Sequence, residues 1–340
     1  MMNKMLIAGP CSAESREQVL EAASMVKAAG ADMFRAGVWK PRTHPGCFEG
    51  RGEEALAWLT EVQRQSGLEV VTEVANASHV QLCLDAGIRN MWLGARTTIN
   101  PFLVQEIADA LMGSGARILL KNPVAPDTGL WVGAVERMRK AGIRDIVLVH
   151  RGFVPREKGL YRNEPMWQVL LRIRHELPGI PIVCDPSHIA GDSALVPEIA
   201  QMAMDLGLDG LMIECHPHPE QALSDAAQQL SPRELAELLE TLVVRSSDSA
   251  DEKYKAALSA LRAQIDAVDA SLVEALAQRM EISRNIGQLK KENNISILQA
   301  ERWDVVLEDV LSRAAASGLD PRMIEEIFAL IHAYSVKQQQ

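Results

Sequence analysis

The chain has 340 residues, 47% hydrophobic and 24% charged, the length and composition of a two-domain globular protein at about 100–200 residues per domain. Its 35 basic against 45 acidic residues, a net charge of −10, argue against nucleic-acid binding, yet leave room for small anions held by a few convergent cations. Five scattered cysteines argue against a disulfide framework, no apolar run approaches the roughly 18 residues of a membrane span, and the first residues lack a long apolar signal segment. The expected setting is the cytoplasm, away from membranes.

In chain order, short apolar runs alternate with longer amphipathic stretches. Strands are predicted at Leu6–Ala8, Asp32–Arg35, Glu69–Val74, Asn90–Leu93, Arg117–Leu120, Asp145–Val149, Ile180–Cys184 and Gly210–Ile213, at a mean spacing of about 29 residues. Glycines at 30, 87, 142 and 207 end the preceding helices. Eight such units predict a (β/α)8 barrel over 1–244; a doubly wound open sheet is the alternative, but the first turn lacks its glycine-rich signature. The apolar-free stretch 245–253 reads as a linker. Beyond it Leu258, Leu261, Ile265, Val268, Leu272 and Leu276 recur at threes and fours, predicting a helix running to about Lys290. Asn293-Asn294 breaks it, a second helix spans about Gln299–Ala316, and a third starts at Pro321, so 254–340 reads as an all-helical domain.

Active sites of such barrels lie where strands end and loops begin. Those positions hold Cys11, Arg35, Lys40, Glu73, Arg96, Lys121, Arg151, Asp185, His188 and Glu214. Five cations at one rim suit a polyanion, most simply phosphates with a carboxylate. Cys11, His188 and Glu214 follow strands 1, 7 and 8, neighbours once the barrel closes, and Asp225 can join them. One thiol, one imidazole and two carboxylates make a divalent transition-metal set, with His216 and His218 as competing imidazoles. In Lys40-Pro41-Arg42-Thr43 the proline pre-sets a turn, and Arg42 with Thr43 offers donors to a phosphate.

Together with Gly9-Pro10-Cys11-Ser12, Phe34-Arg35-Ala36-Gly37, Gly94-Ala95-Arg96, Leu119-Leu120-Lys121, His150-Arg151-Gly152, Asp185-Pro186-Ser187-His188 and Ser224-Asp225, these segments resemble type I beta 3-deoxy-D-arabino-heptulosonate 7-phosphate (DAHP) synthases over residues 6–230. The resemblance implies a divalent transition metal, Mn2+ first and Co2+, Fe2+ or Zn2+ as alternatives, on Cys11, His188, Glu214 and Asp225. It implies Arg35, Arg96, Lys121 and Arg151 around phosphoenolpyruvate, Arg42 and Thr43 on the phosphate of erythrose 4-phosphate, and Lys40 as an acid–base group. His44 stands where members often carry Ser. A related barrel, 3-deoxy-manno-octulosonate 8-phosphate synthase, is less similar because it lacks Lys-Pro-Arg-Thr.

The helical part resembles all-helical chorismate mutases through Arg262, Arg279, Lys290, Arg302, Ser335 and Gln339. Arg279 and Lys290, eleven residues apart, differ by only about 20° around a helix and share a face. Arg262 lies roughly 25 Å further along it and about 100° away, and so cannot easily serve the same pocket. The resemblance implies a homodimer in which Arg262 enters the partner's site, with Arg279, Arg302 and Arg262 clamping the carboxylates of chorismate. Lys290 and Gln339 then meet the ether oxygen, and prephenate is the product. Gln299 and Trp303 stand where the family carries acidic residues, the second of which normally meets the substrate hydroxyl. The expectation is a bifunctional shikimate-pathway enzyme whose helical domain also gives feedback control. The alternative is a monofunctional synthase with a non-catalytic chorismate- or prephenate-binding regulatory and dimerisation module.

Overall fold

The computed structural model describes residues 4–41, 46–155, 157, 159–246, 248–297 and 300–339, without the side chains at 300 and 301. Two compact units are present, Met1–Ser247 and Asp248–Gln340. In the first, β1 (Met5–Gly9), β2 (Met33–Arg35), β3 (Glu69–Val74), β4 (Asn90–Leu93), β5 (Arg117–Lys121), β6 (Ile146–His150), β7 (Ile182–Cys184) and β8 (Gly210–Glu214) form a closed barrel in sequence order. Every neighbouring pair is parallel, and β1 closes on β8 from Met5↔Gly210 to Gly9↔Glu214. The predicted strands are therefore all present. β2 and β6 begin one residue and β7 two residues later than predicted, β1 begins one earlier, and β1, β5, β6 and β8 run one residue further toward the loops.

The two-residue period of a strand sorts side chains into two cores. Leu6, Phe34, Val70, Leu120, Leu148 and Ile213 pack outward against the helices, whereas Ile7, Met33, Val71, Leu119, Val149, Val183 and Met212 fill the barrel. Two residues beyond six of these inward side chains, the same period puts Arg35, Glu73, Lys121, Arg151, Asp185 and Glu214 on the inside of the C-terminal rim. The rim is thus the continuation of the core pattern past its apolar end. Gly9, at φ +148°, lets β1 pass β2 closely, since a Cβ there would lie 2.1 Å from the Arg35 carbonyl oxygen. The turn that delivers Cys11 needs that approach.

The helical unit comprises a first helix Glu252–Glu292, a second Ala300–Ala316 and a third Pro321–Gln338. Asp251 and Asp320 cap the first and third by accepting backbone N–H bonds. The first helix is 41 residues long, about 60 Å, against 17 and 18 residues in the others. Its only buried described residues, Ser283 and Gly287, lie near its C-terminal end, while Ile265, Val268 and Leu272 are 60%, 59% and 56% exposed. No helix among the described residues is long and apolar enough to cross a membrane.

Candidate functional site

At the barrel rim Cys11 follows β1 and is fully buried, with its thiol pushed up to about 12 by burial and then by the Glu214 charge. Lys40 Nζ donates to its Sγ at 2.8 Å, and Sγ lies 3.3 Å from Asp225 Oδ2. Burial works against the Lys40 charge, but Cys11, Glu214 and Glu73 outweigh it and raise its pKa. Glu214 is fully buried, yet its pKa is lowered because His188 and Arg35 offset desolvation; Arg35 Nη2 donates to it at 2.8 Å. Asp225 sits at φ +47°, a left-handed conformation that surrounding contacts must impose. Against partial burial, Arg162, Lys40 and His188 hold its carboxyl well below the usual range.

The donor atoms of Cys11, Glu214 and Asp225 all lie within 4.8 Å of one another, a soft thiol with two carboxylates, which fits a transition metal better than Mg2+ or Ca2+. His188 stands just outside this cluster, its Nε2 3.8 Å from Glu214 Oε1. It is presented by the short helix Pro186–Ala190, whose cap Asp185 accepts from the His188 backbone N–H at 3.1 Å and meets its Nδ1 at 2.8 Å. His216 pairs instead with Glu14 at 3.7 Å and His218 is exposed, so neither joins the cluster.

Beside it opens a cavity of about 460 Å³ lined by Lys40, Arg96, Lys121, Arg151, Arg162 and His188, among others. Lys121 Nζ donates to Asp185 at 2.8 Å; burial lowers its pKa while Asp185 opposes that shift. Arg151 is lowered to about 10 by burial and is held by Asn163 at 2.7 Å. Arg96 reaches the Pro41 carbonyl at 2.8 Å. Arg35 does not line this cavity; it lies behind it, 1% exposed, over the Trp92 ring at 4.9 Å. Arg42, Thr43, His44 and Gln299 lie outside the described residues.

Sequence reasoning missed the residues that tie this rim together. Gln228 donates to Glu214 Oε2 and accepts from Arg162, both at 2.7 Å. Gln229 accepts from the Cys11 backbone N–H and donates to the Ser224 carbonyl, both at 2.9 Å. Both are 1% exposed. Their only sequence signal is an amide pair three residues past Asp225.

The helical unit holds a second cavity, about 370 Å³, lined by Arg279, Lys290, Arg302, Trp303, Ser335 and Gln339, and also by His332. Arg279 donates to Ser335 Oγ, and burial lowers its pKa; Lys290 Nζ donates to the Ile297 carbonyl at 2.7 Å. Gln339 Oε1 is buried with no hydrogen-bond partner among the described residues. Arg262 is exposed and is not among the lining residues.

A closed (β/α)8 barrel with clustered cations at its C-terminal mouth, beside a thiol and two carboxylates, defines an enzyme that handles phosphorylated anions. The profile of the DAHP synthetase I family matches residues 2–249, and the chain belongs to that family. Residues 261–340 match chorismate mutase type II, so the chain combines a DAHP synthase domain with a chorismate mutase domain. It is 33% identical over 238 residues to the phospho-2-dehydro-3-deoxyheptonate aldolase of Thermotoga maritima, covering 70% of this chain and 68% of the relative. It is 29% identical over 269 residues to the 2-dehydro-3-deoxyphosphooctonate aldolase of Nitratidesulfovibrio vulgaris, covering 70% and 90%. The crystal structure of the DAHP synthase from Thermotoga maritima superposes with a TM-score of 0.64 at 30% identity, over 71% of this chain and 68% of that one.

Proposed function

We propose that the barrel, taken as residues 1–244, condenses phosphoenolpyruvate with erythrose 4-phosphate to give DAHP and phosphate. The observation that carries this reading is the inward ring of rim charges beside the Cys11, Glu214 and Asp225 cluster. Arg96, Lys121 and Arg151 hold phosphoenolpyruvate; Arg35 supports them from below through Glu214 and Trp92. Arg42 and Thr43 take the aldose phosphate. C3 of phosphoenolpyruvate attacks the aldehyde carbon, Lys40 delivers a proton to the oxygen, water adds at C2, and the C2–O bond to phosphate breaks. The fixed cations stabilise charge where it develops, without reorganisation. Cys11, His188, Glu214 and Asp225 are the residues to hold a divalent metal, Mn2+ first, which when bound supplies Lewis-acid polarisation of the aldehyde.

The test is phosphoenolpyruvate consumption by the intact chain. It is expected only with erythrose 4-phosphate, to stop on chelation, to return on metal addition, and to fall at least about 10²-fold in Cys11→Ala. Activity surviving both chelation and that substitution removes the metal assignment. Preference for arabinose 5-phosphate removes the substrate assignment.

For the helical domain, read as 254–340 after a linker at 245–253 whose last two residues already belong to the first helix, we infer rearrangement of chorismate to prephenate in a homodimer. Arg279 and Arg302 with Arg262 of a second copy clamp the carboxylates, Ser335 steadies Arg279, and Lys290 with Gln339 meets the ether oxygen. No covalent step is needed, so positioning and electrostatics suffice. The lining of one cavity by Arg279, Lys290, Arg302, Ser335 and Gln339, with Arg262 outside it, supports this. Trp303 favours a second reading, in which the domain only binds chorismate or prephenate and controls the barrel. Chorismate disappearance, with Arg279→Ala as control, separates the two; feedback control itself is tested by the inhibitor response of residues 1–250 alone.

A further inference from the structure

One polar group in the helical cavity has no role in the scheme above. His332 lines the cavity on the same face of the third helix as Ser335 and Gln339, at i, i+3 and i+7. Its ring packs tilted against Trp303, with centroids 4.4 Å apart and planes 33° from parallel, and both residues are half-buried. The imidazole forms no hydrogen bond among the described residues.

The cavity's donors and acceptors show what is missing. Arg279, Lys290 and Arg302 only donate, and so does the Trp303 indole. Ser335 Oγ is engaged twice, accepting from Arg279 and donating to the Ile331 carbonyl. Gln339 gives its amide N–H to the ether oxygen in the scheme above, and its Oε1, which is an acceptor, is closed off from solvent. A substrate hydroxyl entering a partly desolvated cavity needs an acceptor, or its donor goes unmatched. A neutral imidazole has one acceptor nitrogen and one donor nitrogen.

We propose that His332 accepts the hydrogen bond of the chorismate ring hydroxyl, held in position by the ring of Trp303 packed against it, so that this pair takes the place of the absent carboxylate. The proposal rests on the mutase reading of this cavity. Trp303 is then a positioning residue, and His332 a substrate-binding residue.

The experiment compares two bicyclic ether dicarboxylates that mimic the transition state, one with the ring hydroxyl and one without, binding to the full-length protein. The wild type is expected to prefer the hydroxylated analogue by about 10-fold, the yield of one hydrogen bond. His332→Leu should bind both equally, His332→Gln should regain part of the preference, and Trp303→Leu should lose part of it. A preference retained in His332→Leu, or absent from the wild type, overturns the proposal. If both analogues bind through Arg279 but chorismate is not converted, the catalytic reading fails while the hydroxyl comparison still decides His332. If neither analogue binds, both fall.

Discussion

Gln228 shows how much of the candidate metal site's geometry rests on uncharged side chains. It bridges Glu214 and Arg162, and Gln229 bridges Cys11 and Ser224, next to Asp225. Gln228→Leu is expected to lower metal affinity about 10- to 100-fold with the fold retained, read by competition with a chelating dye beside a thermal melt. His150 acts at the same scale on stability. Burial lowers its pKa from 6.5 to about 4, so below pH 6.5 the unfolded chain takes a proton that the folded chain refuses. Stability therefore falls as pH drops from 6.5 to about 4, by on the order of 3 kcal/mol from this residue, and falls no further on its account below that. His150→Leu should flatten that part of the pH–stability curve, measured by denaturant unfolding. Most charged rim residues were legible because they stand at or just beyond the ends of predicted strands. Gln228, Gln229 and Arg162 were not, because residues in irregular loops carry no period that says where they fold back.

Elements obey the same division. The eight strands were readable from apolar runs closed by glycines, since burial on both faces demands such runs. The strand ends were less so, as loop-side residues such as Lys121, His150 and Glu214 are polar yet still paired in the ladder. In the helical unit Gly287 marks a contact that helical periodicity does not show. A Cβ there would lie 2.6 Å from Gln339 Cα. Glycine to alanine in a helix ordinarily stabilises by about 1 kcal/mol, but here the crowding reverses the sign. Gly287→Ala is expected to destabilise the helical unit by about 1–3 kcal/mol and to lower chorismate turnover by displacing Gln339, with phosphoenolpyruvate consumption unchanged. Parallel assays of the two reactions check it.

For the whole molecule, the exposed apolar stripe of the first long helix is the feature on which the proposed homodimer is tested. Ile265, Val268 and Leu272 are more than half exposed, and the two shorter helices can cover only about half of its length. Ile265→Glu with Leu272→Glu is expected to give a monomer by light scattering. That protein should lose chorismate turnover, because Arg262 no longer reaches a partner's cavity, and retain condensation at the barrel. The sequence by itself determined the (β/α)8 class and the helical module, and it marked most of the charged residues that the structure gathers at the two candidate sites, because burial imposes periods that survive in one dimension. Only the tertiary structure decided that Arg35 lies behind the cavity, that His188 stands beside the Cys11 cluster, that Gln228 holds Glu214 while Gln229 holds the Cys11 and Ser224 backbone, and that His332 meets Trp303. Those are distances between segments remote in the chain, fixed by how the barrel closes and how helices pack, and no local pattern encodes them.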